Sequence, residues 1–557
     1  MYQSAMGFSP DVAGKIRGGT ILLLALLLSA CLRTGDERMA DTPRRPNILF
    51  ILADDLGYAD LGAFGGEIPT PNLDQLASRG MLLTNFHANM TCSPTRAMLM
   101  SGMDNHLAGM GVMGKPTRTD QKGKPGYEGH LNFRVATLPE LLTDAGYNTY
   151  MIGKWHLGDT VETGPHARGF RRVFASFDGA AHLGGWDWRG PQPSKYWDND
   201  QVVNVGDDWY TTRDYTSKML GFIEQDRAEG KPFFAYMAYT APHWPLQAPK
   251  ESIAKFRGRY DDGYEALYAK RFARQKQLGL VPKDAVPIDD SRFKPRWSEL
   301  SADERKVASR HMEIYAAMVS DLDRYVGEVI DYLKKTGQYD NTFIFFASDN
   351  GAESGRRDLA KNIQDHVGKE YDHSLDNLGS ATSYIMYGAG WASAGATPFN
   401  RHKATAFEGG IHVPAFVSYP GKVARGSRSN AMGTVMDLLP TFLELAGTWH
   451  PGTSYHGREV LQPQGVSLLP VLYGKASAVH AADEVVGIEL FSHRSIRQGD
   501  WKLVWDQALP AEQRRWQLFN IASDFEEQHD LSQANPQKSA ALQAEWDKYQ
   551  QRNGVIY

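Results

Sequence analysis

Three apolar runs, two of which end in carboxylates or an amide, restrict this chain more than any other feature. The first is Pro46-Asn47-Ile48-Leu49-Phe50-Ile51-Leu52-Ala53-Asp54-Asp55, which is apolar without alternation. Such a run fits a strand buried on both faces, the habit of parallel strands. Similar runs recur at Lys231-Pro232-Phe233-Phe234-Ala235-Tyr236-Met237-Ala238-Tyr239 and at Thr342-Phe343-Ile344-Phe345-Phe346-Ala347-Ser348-Asp349-Asn350. Between them, Ala317, Val319, Leu322, Val326, Val329, Ile330 and Leu333 recur at helical spacing over Ile314 to Lys335. Strands alternating with helices predict an α/β fold, a large and mostly parallel sheet sandwiched by helices. Ligands of such sheets bind just beyond the carboxyl ends of the strands, which is where Asp54 and Asp55 fall.

A helical run over Val435 to Ala446 is broken by Thr448-Trp449-His450-Pro451-Gly452. A smaller C-terminal domain, 448–557, is expected to follow. Its antiparallel strands are predicted at Arg497–Trp505 and Arg515–Asn520, and its closing helix at Ser539–Gln551. No fixed-period repeat or low-complexity tract interrupts the body.

Charge and cysteine usage narrow the functional class. Of 557 residues, 60 are Lys or Arg and 65 are Asp or Glu, so the net charge of −5 offers no field for a polyanion and speaks against nucleic acid as the main partner. Two cysteines cannot build a disulfide framework or a Cys-rich zinc site. Cys31 closes the run Ile21-Leu22-Leu23-Leu24-Ala25-Leu26-Leu27-Leu28-Ser29-Ala30, which follows Lys15 and Arg17 and is too short to span a bilayer as a helix. This is a signal-peptide pattern, and Leu28-Ser29-Ala30-Cys31 resembles the bacterial lipobox, whose cysteine is acylated and becomes the first mature residue. Segment 1–30 therefore reads as a signal peptide and 31–45 as a polar tether, with a membrane anchor at Cys31 and a place in the bacterial cell envelope. Leu32, rather than an Asp, follows the cysteine, as in lipoproteins sorted to the outer membrane. The body proper, 46–447, follows the tether.

The second cysteine lies in Thr91-Cys92-Ser93-Pro94-Thr95-Arg96-Ala97-Met98-Leu99-Met100-Ser101-Gly102. Pro94 suits a first helical turn, which puts Cys92 at a helix N-terminus, a natural anion site. Arg96, one turn on, could reach back toward it. Taken alone the string is equally well a capped helix start with a buried thiol.

Cys92-x-Pro94-x-Arg96 followed by Ser101-Gly102 resembles the signature of the type I sulfatases, members of the alkaline phosphatase superfamily. Gly146-Tyr147-Asn148-Thr149 leading into Gly153-Lys154-Trp155-His156 resembles the second signature of that family. Gly57 to Asn72, Ala241-Pro242-His243-Trp244-Pro245, Ser348 to Glu353, Lys403 with Gly409-Gly410, and Arg497 to Lys502 match in the same order. The resemblance runs from about Arg45 to the C-terminus and is strongest toward the bacterial arylsulfatases of Pseudomonas type.

The resemblance implies that Cys92 is oxidised to formylglycine (3-oxoalanine) by a maturation enzyme, and that Asp54, Asp55, Asp349 and Asn350 hold one Ca²⁺. The oxygen-only donor set is in keeping with a hard cation, although Asp-Asp or Asp-Asn-Gly after a strand is by itself an ordinary turn. It implies further that the hydrated aldehyde attacks the sulfur of a small-molecule sulfate ester, while Arg96, Lys154 and Lys403 hold the anionic charge. His243 would protonate the departing alcohol, and His156 would take the proton whose loss expels sulfate. Lys154 and His156 flank Trp155, so on an extended segment both point to one side. Aryl sulfates are the expected substrates. A phosphatase or phosphonate monoester hydrolase of the same superfamily is the nearest rival, but those relatives commonly carry His where this chain has Asn350. A non-catalytic lipoprotein that binds sulfated ligands ranks last, because every catalytic position of the family is filled. The leaving group is expected to be recognised by Ala180–Asp208 and Ser354–Asn400, the latter with His366 and His373.

Overall fold

The computed structural model describes residues 44–177, 179, 181–187, 190–289 and 292–557. The leader, Cys31 and nearly all of the tether lie outside the described residues. Arg45–Tyr557 forms one compact unit. No helix among the described residues is long and apolar enough to cross a membrane.

Five parallel strands make the centre of a ten-stranded sheet: β1 (Asn47–Ala53), β2 (Asn148–Lys154), β3 (Arg172–Ser176), β4 (Phe233–Ala238) and β5 (Thr342–Ser348). Their spatial order is β5-β1-β4-β2-β3. Beyond β5 the sheet continues antiparallel through Ala415–Ser418 and Met81–Leu83, and beyond β3 through Tyr196–Asp198 and Gln201–Val203. The three apolar runs are thus neighbours, with Ala53 level with Ser348 and Leu52 level with Ala238.

The run in β1 is apolar throughout because each face meets a different core. Leu49, Ile51 and Ala53 pack with Ile314, Ala317, Leu322 and Val326, whereas Ile48, Phe50 and Leu52 pack with Leu99, Leu438 and Phe442. The first group belongs to a helix that spans Ala302–Lys335, more than a turn longer at its start than periodicity alone suggests. Its first turns are held by a capping box between Ser301 and Glu304, and their residues are mostly exposed, so they carry little apolar signal. The second group includes the helices Cys92–Ser101 and Leu438–Leu445, the latter entered through a 3₁₀ turn at Val435–Asp437.

Near the C-terminus, a four-stranded antiparallel sheet runs in the order β6 (Val485–Leu490), β7 (His493–Gln498), β8 (Trp501–Trp505) and β9 (Trp516–Asn520). The predicted single strand Arg497–Trp505 is in fact a hairpin. Gly499, at φ +57°, turns the chain, and Arg497 pairs with Lys502. One face of this sheet covers Met90, Ala406 and Phe407, the neighbours of Cys92 and Lys403. The other is covered by Leu542, Trp546 and Tyr549 of the helix Pro536–Asn553.

Candidate active site

The carboxyl ends of β5, β1, β4 and β2 form one rim, and each delivers predicted residues to it. Asp349 and Asn350 follow β5, Asp54 and Asp55 follow β1, His243 follows β4, and Lys154 ends β2. Asp55 takes a left-handed backbone, φ +66°, which turns the chain out of the strand. Its N–H donates to Asp349 Oδ1 at 3.2 Å, and Asn350 Nδ2 donates to Asp55 Oδ1 at 2.7 Å. The turn after Asn350 needs glycines on both sides. A Cβ on Gly351 would lie 2.0 Å from the Gly409 carbonyl oxygen, and one on Gly409 would lie 2.2 Å from that of Arg401.

Cys92 is the first residue of the helix Cys92–Ser101, as expected, and is buried. Arg96 does not turn back to it. Its Nε and Nη2 donate to Asp349 Oδ2 at 3.1 and 2.8 Å, its Nη1 to the Lys154 carbonyl at 2.6 Å, and Asp54 Oδ2 lies 3.4 Å away. Lys154 Nζ donates to Asp54 Oδ2 at 2.7 Å. Lys403 Nζ lies between Asp55 Oδ1 at 2.6 Å and Glu353 Oε2 at 3.1 Å. The ion pairs explain why three cations stay charged in a buried place where desolvation alone would disfavour them.

The arrangement leaves oxygens over. Asp54 Oδ1, Asp55 Oδ2 and Asn350 Oδ1 are buried without a hydrogen-bond partner, and ligand atoms of Asp54, Asp55, Cys92 and His243 lie within 4.8 Å of one another. Buried polar atoms of this kind are rarely left unmatched. Converging oxygens with no buried amide or hydroxyl to serve them fit a hard divalent cation. Burial, together with the nearby Asp54, Glu353 and Asp349 carboxylates, holds the Asp55 carboxyl up at about 7 despite Lys403. A cation would relieve that strain.

Burial also pushes the Cys92 thiol up to about 12, against the pull of Lys154 and Lys403. The thiolate is therefore scarce at neutral pH. Both histidines are held well below 6.5, first by burial and then by Lys154. His243 Nδ1 faces the Trp244 carbonyl at 2.5 Å, so Nδ1 carries the proton and Nε2, 3.6 Å from Asp55 Oδ2, is the bare nitrogen. His182 holds this turn from behind, with Nε2 2.7 Å from the His243 carbonyl. The strand ends at Lys154 and His156 takes φ +58°, so the segment is not extended throughout, yet the charges of Lys154, Arg96, Asp54 and Lys403 all act on the His156 imidazole. His156 also lines a cavity of about 990 Å³.

That cavity is walled by Asp187, Gln192, Lys195 and Val202 from the first predicted recognition loop and by Gly179 just before it. Its other wall, Met110, Lys115, Glu128 and His130, comes from a segment without a sequence motif. The second predicted loop lines a separate groove, Val367 to Thr382 with His373. Sequence reasoning gave no role to Glu353, although it closes the matched segment Ser348 to Glu353, and missed a buried network beneath the C-terminal sheet. There Lys502 Nζ bridges Glu408 at 2.7 Å and Glu527 at 2.8 Å, while His87 and His412 each lie 2.9 Å from Glu408. Only the Lys502 match hinted at this cluster.

Comparison with known proteins agrees with the geometry. The sulfatase family model matches residues 46–448, and a model described as N-sulphoglucosamine sulphohydrolase, C-terminal, matches 400–552. The chain belongs to the sulfatase family. It is a type I sulfatase of the alkaline phosphatase superfamily, and thus a hydrolase of sulfate esters. An uncharacterised sulfatase of Schizosaccharomyces pombe is 42% identical over 92% of this chain and 95% of that protein. An arylsulfatase of Klebsiella aerogenes is 38% identical over 76% of this chain and 91% of its own length. Among solved structures, Ps i-CgsB in complex with k-i-k-neocarrahexaose is 26% identical with a TM-score of 0.65, covering 92% of this chain and 94% of that one.

Proposed function

We propose that this sulfatase uses formylglycine at position 92 and one Ca²⁺ to hydrolyse a sulfate ester into an alcohol or phenol and inorganic sulfate. The observation that carries this reading is the convergence of three unpartnered buried oxygens, three ion-paired cations and Cys92 at one rim of the sheet. Asp54, Asp55, Asp349 and Asn350 are the residues to hold the cation, which supplies positive charge beside the nucleophile and the sulfate oxygens. A thiol held near 12 is a poor nucleophile here. An aldehyde in its place supplies a hydrated carbon, with one oxygen for the sulfur and a second whose deprotonation releases the product.

The remaining roles belong to side chains already in position. Arg96, Lys154 and Lys403 are held by carboxylates and so preorganised to receive an anion. His156, neutral and at the cavity mouth, is suited to accept a proton. His243 offers a bare Nε2 toward the cluster. The negative charge of a bound ester offsets Lys154 and Lys403, the cations that depress this imidazole, and so favours the protonated form needed to serve the leaving oxygen.

Aryl sulfates are simple test substrates, and the relative from Klebsiella supports them as a class. The cavity beyond His156 is several times larger than one phenyl ring requires and carries charged and amide side chains, which supports a larger polar leaving group. The segment 46–447 would then be the catalytic domain and 448–557 a small domain that backs the site. We infer an envelope location through an acylated Cys31, and acyl-chain labelling lost in Cys31→Ala would support it.

The deciding experiment is mass spectrometry of the peptide containing Cys92, together with assays of sulfate and phosphate release. Conversion lowers the residue mass by about 18 Da, the difference between CH₂SH and CHO, and creates a carbonyl that a probe can label. Cys92→Ala should lose both the label and turnover. A fully active preparation with a free thiol at position 92 refutes the mechanism, and preferred phosphate release refutes the substrate.

A further inference from the structure

Residues 102–137 join the helix Cys92–Ser101 to a helix at Leu138–Asp144 without a helix or strand of their own. A connection of that length inside a compact body is uncommon and usually functional. This one supplies Met110, Lys115, Glu128 and His130 to the cavity that His156 lines. It closes on itself through two backbone bonds, from Gly111 N–H to the Gly126 carbonyl at 2.8 Å and from Gly129 N–H to the Gly109 carbonyl at 3.1 Å. Side-chain packing adds little, because over 112–130 the only buried side chains are those of Gln121 and Tyr127.

Both of those side chains bond to one distant residue, Ile556. The Tyr127 hydroxyl donates to the Ile556 carbonyl at 3.1 Å and accepts from the Ile556 N–H at 2.6 Å, while Gln121 Nε2 donates to the same carbonyl at 2.7 Å. A hydroxyl that donates to and accepts from one peptide pair fixes direction as well as distance. Ile556 is held in turn by its neighbours. Val555 packs on Trp546 and donates its N–H to the Gln550 carbonyl at 3.0 Å, and the Arg494 guanidinium lies 3.4 Å from the centre of the Tyr557 ring. The start of the connection is fixed to the same unit, since the Tyr549 hydroxyl donates to Asp104 Oδ2 at 2.6 Å and His106 Nε2 lies 2.8 Å from Glu489 of β6. One segment therefore walls the cavity and is anchored to the C-terminal sheet and helix.

We propose that Tyr127, clamped by the Ile556 backbone, is a positioning residue that fixes the 110–130 wall and thereby sets how well the site accepts leaving groups larger than one ring. The inference rests on the sulfatase reading and extends it to the leaving-group side. A single ring fills a small part of a cavity of about 990 Å³ and is held chiefly through its sulfate, whereas a larger group reaches the wall and gains from its being rigid. Tyr127 acts through the segment it holds, not by touching the ester.

The test uses Tyr127→Phe, which keeps the ring and removes both hydroxyl bonds, and Ile556→Pro, which removes the N–H. Ile556→Val is the conservative control, because the clamp uses only the backbone of residue 556. The ratio of kcat/KM for 4-methylumbelliferyl sulfate, with two fused rings, over that for 4-nitrophenyl sulfate should fall about five-fold or more in the first two variants, through KM rather than kcat, and stay within about two-fold of wild type in Ile556→Val. A second readout is free of turnover. Hydrogen exchange followed by mass spectrometry should show the amides of 109–111 and 127–129 exchanging about ten-fold faster in Tyr127→Phe, with those of β1 and β5 unchanged. A residue that only supports the fold would lower both activities together and leave the ratio alone. Unchanged exchange in Tyr127→Phe, or faster exchange with an unchanged ratio, overturns the proposal. Absence of sulfate release from wild type refutes the sulfatase reading instead, and the exchange comparison then still decides whether Ile556 holds this wall.

Discussion

Removing the divalent cation is expected to lower the melting temperature by an amount that can be worked out, in addition to abolishing turnover. Without the ion, Asp54 Oδ1, Asp55 Oδ2 and Asn350 Oδ1 are buried acceptors with nothing to accept from. Each such group costs about 1–3 kcal/mol, so about 3–9 kcal/mol of desolvation is recoverable by a ligand that serves all three, before the ion's own dehydration. What a titration reads is the net binding term, which by mass action reaches about 2.7 kcal/mol at a hundred-fold and about 4 kcal/mol at a thousand-fold excess over Kd. The unfolding entropy of the Arg45–Tyr557 body, at about 2 cal/mol/K per residue, is about 1 kcal/mol/K. The melting temperature should therefore rise by about 3–4 °C over that calcium range, linearly in the logarithm of concentration. Calorimetric melts of chelated protein back-titrated with CaCl₂ measure this directly. Asp55→Asn, which removes one charge and exchanges an orphaned oxygen's carboxylate for an amide, should flatten the slope. Superimposable melts with and without the ion, from protein that keeps full activity after chelation, would refute the assignment of these oxygens.

Three further outcomes follow from particular contacts. Gly351→Ala puts a methyl group 2.0 Å from the Gly409 carbonyl, so the turn carrying Asp349 and Asn350 must move; turnover should drop at least ten-fold, about 1.4 kcal/mol, and a wild-type rate would show that the close approach is unimportant. Lys502→Met removes the partner of two buried carboxylates and should cost about 3–5 kcal/mol, seen as a fall of about 3–5 °C in melting temperature, whereas an unchanged melt would mean Glu408 and Glu527 do not depend on it. His106, buried between Asp104 at 2.9 Å and Glu489 at 2.8 Å, is raised from 6.5 to about 9, chiefly by the hydrogen bonds of these two carboxylates working against burial. Because its folded value is the higher one, the stabilisation, about 3 kcal/mol at most, is complete below about pH 6 and is lost as pH climbs toward 9. His106→Gln should remove that slope from a plot of melting temperature against pH, and an identical slope in the variant would assign it elsewhere.

The carboxylate-ended runs were legible because a strand buried on both faces must be apolar throughout, and because the polar residues that follow it fall at the one place where a parallel sheet opens to a ligand. The Cys92 helix start was legible for a local reason too, since Pro94 fits only a first turn. Local reasoning failed where a residue's partner is distant in sequence. Arg96 looked free to reach Cys92, yet Asp349, 253 residues away, takes its guanidinium. The backbone after Lys154 leaves the extended form at His156, a left-handed residue that no periodicity announces, although His156 still faces the cluster that Lys154 serves. Arg497–Trp505 reads as one strand because Trp501, Leu503 and Trp505 alternate, and the Gly499-Asp500 turn before them is not set apart from that pattern.

The parallel core, the sulfatase motifs and the oxygen-rich donor set could all be read from the chain, since each depends on residue types within a short stretch. Only the packing of distant segments sets which oxygens remain without partners, that burial and Lys154 hold His156 and His243 well below the usual histidine range, that Glu353 pairs with Lys403, and that residues between 110 and 130 wall the cavity. These are properties of distances between segments hundreds of residues apart. Burial and Coulomb energy depend on those distances and on how much water is excluded, and neither is encoded in any local pattern.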